Sequence, residues 1–315
     1  MEHWDLIVVG AGPAGLTASV YGARSGLKTL VLEEKIPGGL TAEAPLIENY
    51  PGFPAGVSGI ELTARLVKHA EIAGAQIHEL EKVTTLNIKA DNKLVKTDKT
   101  VYTASTVILA SGCHYKRLGV LGENEFLGRG LSYCALCDGT FFKEKKVIVV
   151  GGGNSAAISA IHLSNLTSDV KLAHRRDQLR AEKSLVSDLQ KQQVEVLWNT
   201  EVKAVKGDVK VRSVILLDNK TGVISEMEVD GVFVQIGEEP NSQVAKEAGI
   251  EVDKEGYIIV DYYQKTNVEG VYAAGDVTIC PVKQIGTAVG QAIIAATEAF
   301  SYIKRPYYYN EISKH

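Results

Sequence analysis

The stretch DLIVVGAGPAGLTASVYGARSGLKTLVLEE, residues 5–34, decides the fold. The apolar run Trp4–Val9 predicts a strand, and the helix-like stretch Leu16–Arg24 follows the turn Gly10-x-Gly12-x-x-Gly15. A second apolar run, Leu27–Leu32, ends in two glutamates. The pattern therefore predicts a βαβ unit with its glycines in the turn between the first strand and the helix.

Each glycine of this turn has its own physical role. Gly10 permits the tight turn, Gly12 lets a pyrophosphate approach the backbone, and Gly15 lets helix and strand pack closely. The helix N-terminus adds N–H donors and partial positive charge. Glu33, 18 residues after Gly15, is placed to bind ribose hydroxyls. The sequence predicts a dinucleotide site here; a glycine-rich turn without a ligand is the alternative.

The same pattern recurs in the second half of the chain. Lys146–Val150 predicts a strand, Gly151–Ala156 a turn, Ala157–Leu166 a helix and Asp169–Ala173 a second strand. This internal repeat predicts a second dinucleotide-binding module of the same architecture.

Each copy ends with an apolar strand that runs into glycine. These strands are Ser105–Ala110 before Gly112 and Gly231–Ile236 before Gly237. The segment after residue 241 is too short for a third module, so it completes the first. We therefore predict an α/β fold with two Rossmann-like, three-layer domains, the second inserted in the first. The predicted domains are 1–115 with 244–315, and 116–243. Two chain crossings, near 113–118 and 241–246, make a hinge.

The second glycine turn is followed by a basic segment instead of an acidic residue. After the second strand the chain reads His174-Arg175-Arg176, with Arg180 shortly beyond. Arginine binds a 2′-phosphate through paired donors, which a carboxylate would repel. The segment therefore favours NADPH over NADH; a solvated basic turn is the alternative.

Only one pair among the four cysteines is close in sequence. Cys134 and Cys137 have the two-residue spacing that lets a disulfide close at the start of a helical turn. A zinc site is the alternative, but no other cysteine or histidine pair completes four ligands, so no metal is predicted. Asp138 follows directly, either as a proton carrier or as a cap of the next turn. Cys113 and Cys280 are interpreted as buried small apolar side chains.

A further acid ends an apolar strand near the C-terminus. Gly275-Asp276 follows Val271–Ala274, and a long helical stretch from about Gly286 to Ile303 comes next. Asp276 suits sugar-like hydroxyls, and the helix N-terminus near Gln284 and Ile285 suits negative charge on a reduced ring system. Together with the opening motif, this segment predicts a second set of contacts to the same extended ligand.

Composition excludes several partner classes. The chain has 315 residues, with 34 basic against 38 acidic side chains and a net charge of −4. This balance predicts neither a nucleic-acid partner nor a membrane partner. The N-terminus carries no basic region before an apolar run, which predicts a cytoplasmic protein.

These residues resemble the low-molecular-weight thioredoxin reductases, within the flavoprotein disulfide reductases that bind two dinucleotides. The resemblance covers almost the whole chain. It is carried by the segments Gly10–Gly15, Gly38–Leu40, Glu48–Gly52, Ser132–Gly139, Gly151–Ala156, His174–Asp177 with Arg180, and Ala273–Val277. Lys283 stands where relatives often have arginine, so the positive charge is retained without the paired donors of a guanidinium group.

The resemblance implies FAD on the first domain, NADPH on the second and a homodimeric assembly. The implied FAD residues are Gly10, Gly12, Pro13, Ala14, Gly15, Glu33, Gly39, Leu40, Asn49, Gly112, Gly275, Asp276, Lys283, Gln284 and Ile285. The implied NADPH residues are Gly151, Gly153, Asn154, Ser155, Ala156, His174, Arg175, Arg176 and Arg180.

The resemblance also implies a reaction. Electrons would pass from NADPH through FAD to the Cys134–Cys137 disulfide and on to thioredoxin. Cys137 would be the sulfur facing the flavin, Cys134 the nucleophile that attacks thioredoxin, and Asp138 the acid that manages protons. A rotation about the double crossing would alternate the contacts of the second domain. The alternatives are a related reductase with another protein acceptor or electron donor, and a flavin-binding sensor without turnover.

Overall fold

The chain divides into two compact units. The structure is a computed structural model that describes residues 2–44, 46–88 and 92–304. Unit 1 is formed by the segment up to His114 and the segment from Glu239 onward, and unit 2 by Tyr115–Glu238. The second unit is therefore inserted in the first, as the sequence predicts.

The strands follow one another along the chain with the helices between them. They are β1 His3–Val9, β2 Thr29–Leu32, β3 Gln76–His78, β4 Val83–Asn87, β5 Lys93–Thr97, β6 Val101–Leu109, β7 Cys113–Tyr115, β8 Leu131–Ser132, β9 Val147–Gly151, β10 Val170–His174, β11 Glu195–Trp198, β12 Thr200–Gly207, β13 Val211–Asp218, β14 Ile224–Glu228, β15 Gly231–Gln235, β16 Glu238–Pro240 and β17 Val271–Ala273. The α-helices are α1 Pro13–Arg24, α2 Gly59–Ala73, α3 Ala135–Asp138, α4 Asn154–Ser164, α5 Lys183–Lys191, α6 Gln243–Glu247 and α7 Ile285–Lys304. Short 3-10 turns cover Gly39–Glu43 and Gly139–Phe142.

Unit 1 is built on a mixed sheet. Its strand order is β3-β2-β1-β6-β5-β4, and β17 also pairs with β6. Strands β1, β2, β3, β6 and β17 run parallel, whereas β4 and β5 pair antiparallel. Val9 is opposite both Leu32 and Leu109, so the carboxyl ends of these strands lie at one edge. The predicted βαβ unit is confirmed, and its glycine turn lies at this edge.

The centre of strand β1, Leu6–Val8, is buried on both faces, which explains why this part of the strand is an uninterrupted apolar run. Leu6 and Val8 pack into the layer that contains the alanine-rich face of α7 and the apolar side of α1. Trp4 and Ile7 lie on the other side of the sheet, in one buried cluster with Ala245 of α6. The three layers predicted from the sequence are therefore present in unit 1.

Unit 2 repeats this architecture around a parallel sheet. Its order is β11-β10-β9-β15-β8, and β12, β13 and β14 form a separate antiparallel sheet. Strand β9 ends at Gly151, opposite Gln235 of β15, and α4 follows the glycine turn. The predicted α/β class with two Rossmann-like domains is confirmed.

The two strands that link the units, β7 and β16, pair with each other. Just beyond β16, Asn241 donates its N–H to the carbonyl of Gly112 at 2.9 Å, and its own carbonyl accepts from the Ser111 hydroxyl at 2.7 Å. The returning chain is thus hydrogen-bonded to the outgoing one.

In the described ranges, no helix is long and apolar enough to cross a bilayer.

Candidate active site

The cysteine pair forms a disulfide at the start of α3 in unit 2. Cys134 is the residue that caps this short helix, and its Sγ accepts the backbone N–H of Cys137 at 3.1 Å. Both cysteines are half-buried, whereas Ala135 between them is buried. A donor aimed at Sγ favours a thiolate on Cys134 once the disulfide is reduced.

Asp138 lies one residue beyond the pair and is joined to Ser132. The Ser132 hydroxyl donates to Asp138 Oδ2 at 2.6 Å and accepts the backbone N–H of Cys134 at 2.9 Å. Burial raises the pKa of Asp138, and the Ser132 hydroxyl opposes part of that rise. A carboxyl group with a raised pKa beside a disulfide is suited to carry a proton. Ser132 was not predicted as a site residue, because only its place in β8 connects it with Asp138.

The residue before the pair is anchored by a buried polar cluster. Tyr133 donates its hydroxyl to Glu123 Oε1 at 2.5 Å and receives a bond from Arg117 at 3.2 Å. Glu123 Oε1 also accepts the backbone N–H of Leu118, and Oε2 accepts the backbone N–H of Gly119. Desolvation works to raise the pKa of Glu123, but the bonds from Tyr133 and the two N–H groups outweigh it and lower the pKa. The cluster fixes the backbone that leads into Cys134.

The first glycine turn, in unit 1, leaves open space above it. A Cβ atom on Gly12 would meet nothing within 4 Å, whereas one on Gly15 would run into the carbonyl of Gly10. Gly15 thus allows the close helix–strand packing predicted for it, and Gly12 leaves room for a ligand. Pro13 and Ala14 open helix α1 directly behind this space.

Further predicted segments of unit 1 converge on the same turn. The Gly38 N–H donates to the carbonyl of Ala11 at 2.8 Å, and a Cβ on Gly39 would stand 3.4 Å from the Gly12 Cα. Leu40 follows in the adjacent 3-10 turn. Glu33 uses its carboxylate on the backbone, accepting from the N–H groups of Ala11 and Lys35 at 2.7 and 2.9 Å. The structure therefore places Glu33 at the turn, where its carboxylate stabilises the backbone through these two hydrogen bonds.

Gly275 and Asp276 lie beside the first turn. Gly275 has a φ of +82°, and a Cβ on it would stand 2.9 Å from the Ala14 Cβ. Its N–H donates to Gln291 of α7 at 2.8 Å, a contact that no sequence motif signals. Burial raises the pKa of Asp276, and the nearby Lys283 ammonium opposes that rise.

The start of α7 completes the predicted cluster in unit 1. Asn49 donates to the Gln284 side chain at 3.1 Å, just before Ile285 opens the helix. Lys283 points its ammonium back to the carbonyls of Asp276 and Thr278, at 2.5 and 2.8 Å. It therefore holds its own turn together. Added Cβ atoms on the predicted residue Gly112 and on Gly286 would again meet nothing within 4 Å.

The second glycine turn, in unit 2, resembles the first in its open space. A Cβ on Gly153 would meet nothing within 4 Å, whereas one on Gly151 would run into the Gln235 carbonyl and the Ala156 side chain. Asn154 exchanges two hydrogen bonds with Glu182, both at 2.9 Å. Ser155 is exposed at the first turn of α4.

The basic segment that follows β10 is fastened to this turn. His174 is buried, with Nδ1 2.9 Å from the Gly151 carbonyl oxygen and Nε2 2.9 Å from the Gln178 carbonyl oxygen. The Arg180 N–H donates to the Gly152 carbonyl at 2.7 Å. The side chains of Arg175, Arg176 and Arg180 are exposed, and the charge of Arg175 helps to lower the pKa of Glu201. The arginines are thus available to an anion, whereas His174 faces inward.

The other two cysteines lie in unit 1. Cys113 is buried and donates its thiol to the Asp276 carbonyl at 2.9 Å, while Cys280 is half-buried with its Sγ 3.2 Å from the Val282 carbonyl oxygen. Neither is joined to another cysteine. The interpretation as a buried small side chain therefore holds for Cys113, and Cys280 is more accessible than the sequence suggests.

Known proteins share this sequence and this fold. The chain matches the family described as Pyridine nucleotide-disulphide oxidoreductase over residues 4–295. It is 44% identical over 301 residues to a thioredoxin reductase of Treponema pallidum (strain Nichols), covering 95% of this chain and 97% of the relative. It is 43% identical over 303 residues to a thioredoxin reductase of Bacillus subtilis (strain 168), covering 96% and 95%. The crystal structure of thioredoxin reductase from Streptococcus pyogenes MGAS5005 matches with a TM-score of 0.92 and 38% identity, over 96% of this chain and 99% of that one. In keeping with its two glycine turns and its disulfide, the chain belongs to the pyridine nucleotide-disulphide oxidoreductases, among the thioredoxin reductases.

Proposed function

We propose that the protein is a thioredoxin-disulfide reductase that takes electrons from NADPH and delivers them through FAD and the Cys134–Cys137 disulfide. The observation that carries the proposal is the disulfide itself, whose Cys134 Sγ accepts a backbone N–H and whose neighbour Asp138 is half-buried with a raised pKa. The named relatives support thioredoxin as the acceptor.

FAD is assigned to unit 1 because the residues there fit an extended polar cofactor. The open space above Gly12 suits a pyrophosphate at the N-terminus of α1, where N–H groups are free of helix partners. The half-buried carboxyl group of Asp276 has a raised pKa, so hydroxyl groups of a cofactor would supply hydrogen bonds that it needs. Gln284 and Ile285 would present the start of α7 to a ring system.

NADPH is assigned to unit 2 because an open glycine turn and three exposed arginines lie close together in the chain and are joined by hydrogen bonds. The turn at Gly153 would receive the pyrophosphate at the N-terminus of α4. Arg175, Arg176 and Arg180 would bind the 2′-phosphate through charge-assisted bonds.

The chain's own residues carry the thiol chemistry. When bound, FAD accepts a hydride from NADPH and supplies the electron pair that cleaves the disulfide. Cys137 receives that pair at Sγ, and Cys134 leaves as a thiolate stabilised by the Cys137 N–H. Cys134 then attacks the thioredoxin disulfide, releasing one thioredoxin thiolate and forming a mixed disulfide. Cys137 attacks Cys134 Sγ, which restores the internal disulfide and releases the second thioredoxin thiolate, while Asp138 holds and returns a proton.

An anaerobic experiment tests the proposal. Titration with NADPH and, in parallel, with NADH should bleach the bound flavin at lower concentrations of NADPH, and addition of oxidised thioredoxin should restore the colour. Bleaching without recovery by any thioredoxin would instead favour another protein acceptor. A flavin that neither nucleotide reduces would favour the sensor alternative.

We also propose that the protein acts in the cytoplasm as a homodimer. A reductase that delivers thiols belongs in a reducing compartment. Ile36, Ile60 and Ile72 of unit 1 are each more than 70% exposed, and a dimer interface that included them would remove apolar surface from water. Sedimentation equilibrium should give twice the chain mass, and Ile60→Asp should shift the protein toward the monomer.

A further inference from the structure

We propose that Ser132 is a positioning residue that holds Asp138 in both of its protonation states by turning one hydroxyl proton between two acceptors. The proposal rests on the proton-carrying role proposed above for Asp138. Ser132 ends strand β8, in register with Phe233 of β15, and is only 5% exposed. Its oxygen atom is therefore fixed by the sheet, and its hydroxyl proton is free to rotate.

Three polar atoms surround the Ser132 oxygen. The backbone N–H of Cys134 donates to it at 2.9 Å. Asp138 Oδ2 lies 2.6 Å away and the carbonyl oxygen of Cys134 lies 3.3 Å away. The Cys134 N–H is a fixed donor and the Cys134 carbonyl a fixed acceptor, so only Asp138 can change from acceptor to donor.

Every donor and acceptor around the Ser132 oxygen has a partner both when Asp138 is ionised and when it is protonated. When Asp138 is a carboxylate, the Ser132 O–H donates to Oδ2 and the oxygen accepts from Cys134. When Asp138 is protonated, its O–H donates to the second lone pair of the Ser132 oxygen. The Ser132 proton then turns to the Cys134 carbonyl, 3.3 Å away. A hydroxyl has one donor and two acceptor sites, so no group is left unpaired and Ser132 keeps one proton throughout.

The two states need not be equally stable for this arrangement to matter. The 2.6 Å bond to the carboxylate is the shorter one, and a charge-assisted bond is stronger than the 3.3 Å contact to a carbonyl. Ser132 therefore favours the ionised form against the opposing effect of burial. It brings the proton affinity of Asp138 back toward the range where a proton can be both gained and released.

Two other titratable side chains lie near α3, and their influence on the titration of Asp138 must be distinguished from that of Ser132. His162 of α4 approaches the end of α3, since a Cβ on Gly139 would stand 3.4 Å from its Nε2. Tyr133 directs its hydroxyl to Glu123, which together with burial raises its pKa beyond the working range. His162→Gln therefore serves as a background that removes this imidazole.

The decisive measurement is an infrared titration of the oxidised protein. The Asp138 carboxyl band is identified as the signal that Asp138→Asn removes. In Ser132→Ala its midpoint should move to higher pH by about one unit or more, because the charged form loses a strong donor. Ser132→Thr, which retains the hydroxyl, should restore the midpoint. The same shift should appear in the His162→Gln background.

A matched control comes from Ser213, which is also buried in unit 2 and also donates to a carboxylate, Glu226, at 2.6 Å. Ser213→Ala should leave the Asp138 band where it is. An unchanged midpoint in Ser132→Ala, or an equal shift in Ser213→Ala, would overturn the proposal. Unfolding curves of each variant identify any loss of structure, and a misfolded Ser132→Ala would transfer the test to Ser132→Thr and Ser132→Gly.

Kinetic measurements provide a second test, because a serine with a purely structural role would not change the rate of thiol transfer selectively. Ser132→Ala should slow thiol transfer to thioredoxin about tenfold while NADPH still bleaches the flavin at the normal rate. In the Asp138→Asn background the same substitution should cause no further slowing, because the two residues act as one unit. Additive slowing would contradict the proposal. If the parent protein fails to reduce thioredoxin, the proposed function fails, and the infrared titration still decides the role of Ser132.

Discussion

The Nδ1 atom of His174 lies 2.9 Å from the carbonyl oxygen of Gly151, inside the second glycine turn. Its Nε2 is equally close to the Gln178 carbonyl, in the basic segment. Both partners are carbonyl oxygens, which accept hydrogen bonds from a ring N–H. His174 thus joins the segment proposed to bind the 2′-phosphate to the turn proposed to bind the pyrophosphate.

This geometry predicts that His174→Gln weakens NADPH and NADH binding by similar factors, because both nucleotides share the pyrophosphate. Arg176→Gln should weaken NADPH alone, by about ten- to a hundredfold, since one charge-assisted bond is worth about 1.5–3 kcal/mol. Binding titrations of both nucleotides to each variant measure the two ratios. A loss confined to NADPH in His174→Gln would make His174 a direct phosphate ligand instead.

The disulfide predicts a division between two steps of the reaction. Cys134→Ser and Cys137→Ser should each reduce thioredoxin turnover to background, because neither variant can re-form the internal disulfide. NADPH should still bleach the flavin in both. Stopped-flow spectra and a thiol assay measure the steps separately, with Cys280→Ser as the control that keeps both. Equal loss of both steps would contradict the roles proposed for the pair.

Gly275 is predicted to resist substitution for two reasons. Gly275→Ala places a side chain at φ +82°, which costs about 1–2 kcal/mol, and also presses on Ala14. Gly249→Ala is the matched control, since Gly249 has a φ of +91° and open space around it. In urea, Gly249→Ala should lose only the stability that the positive φ costs, whereas Gly275→Ala should lose more and should also lose bound flavin. Normal flavin retention by Gly275→Ala would separate this turn from the cofactor.

Glu123 predicts a dependence of stability on pH. Its pKa is lower in the folded protein than in the unfolded chain, so it stabilises the fold above its ordinary pKa of about 4.5, and this contribution is lost as the pH falls. Glu123→Gln should cost about 1–3 kcal/mol at neutral pH, because the amide cannot accept all three bonds. The difference from the parent protein should shrink in acid. Exposed Glu125→Gln should have little effect at either pH, as measured by thermal unfolding.

Local sequence was enough to predict the fold. The buried centres of strands, such as Leu6–Val8, are continuous apolar runs, and glycines follow at fixed spacing, so the βαβ units can be recognised without tertiary information. Helix ends were less predictable. Helix α4 begins at Asn154, three residues before the predicted start, because the glycine turn itself closes the first helical turn.

The direction of side chains could not be predicted in the same way. Lys283 and His174 both face backbone carbonyls, since each is held by a turn whose shape depends on distant segments. The pairing of Ser132 with Asp138 spans the end of a strand and a whole turn of helix, and Gln291 reaches Gly275 from another element. Such contacts depend on how distant elements pack. The motifs therefore indicated which segments carry the candidate site, but only the structure shows the hydrogen bonds between them.

The division of unit 1 in the chain fixes an order of events during synthesis. Strand β17 pairs with β6, and α7 packs with α1, yet both are translated after the whole of unit 2. The inserted unit therefore leaves the ribosome complete while its host still lacks a strand and a helix, and it is the first able to fold. Since Gly275, Asp276 and the start of α7 emerge last, capture of the flavin is expected to be the closing event of biogenesis.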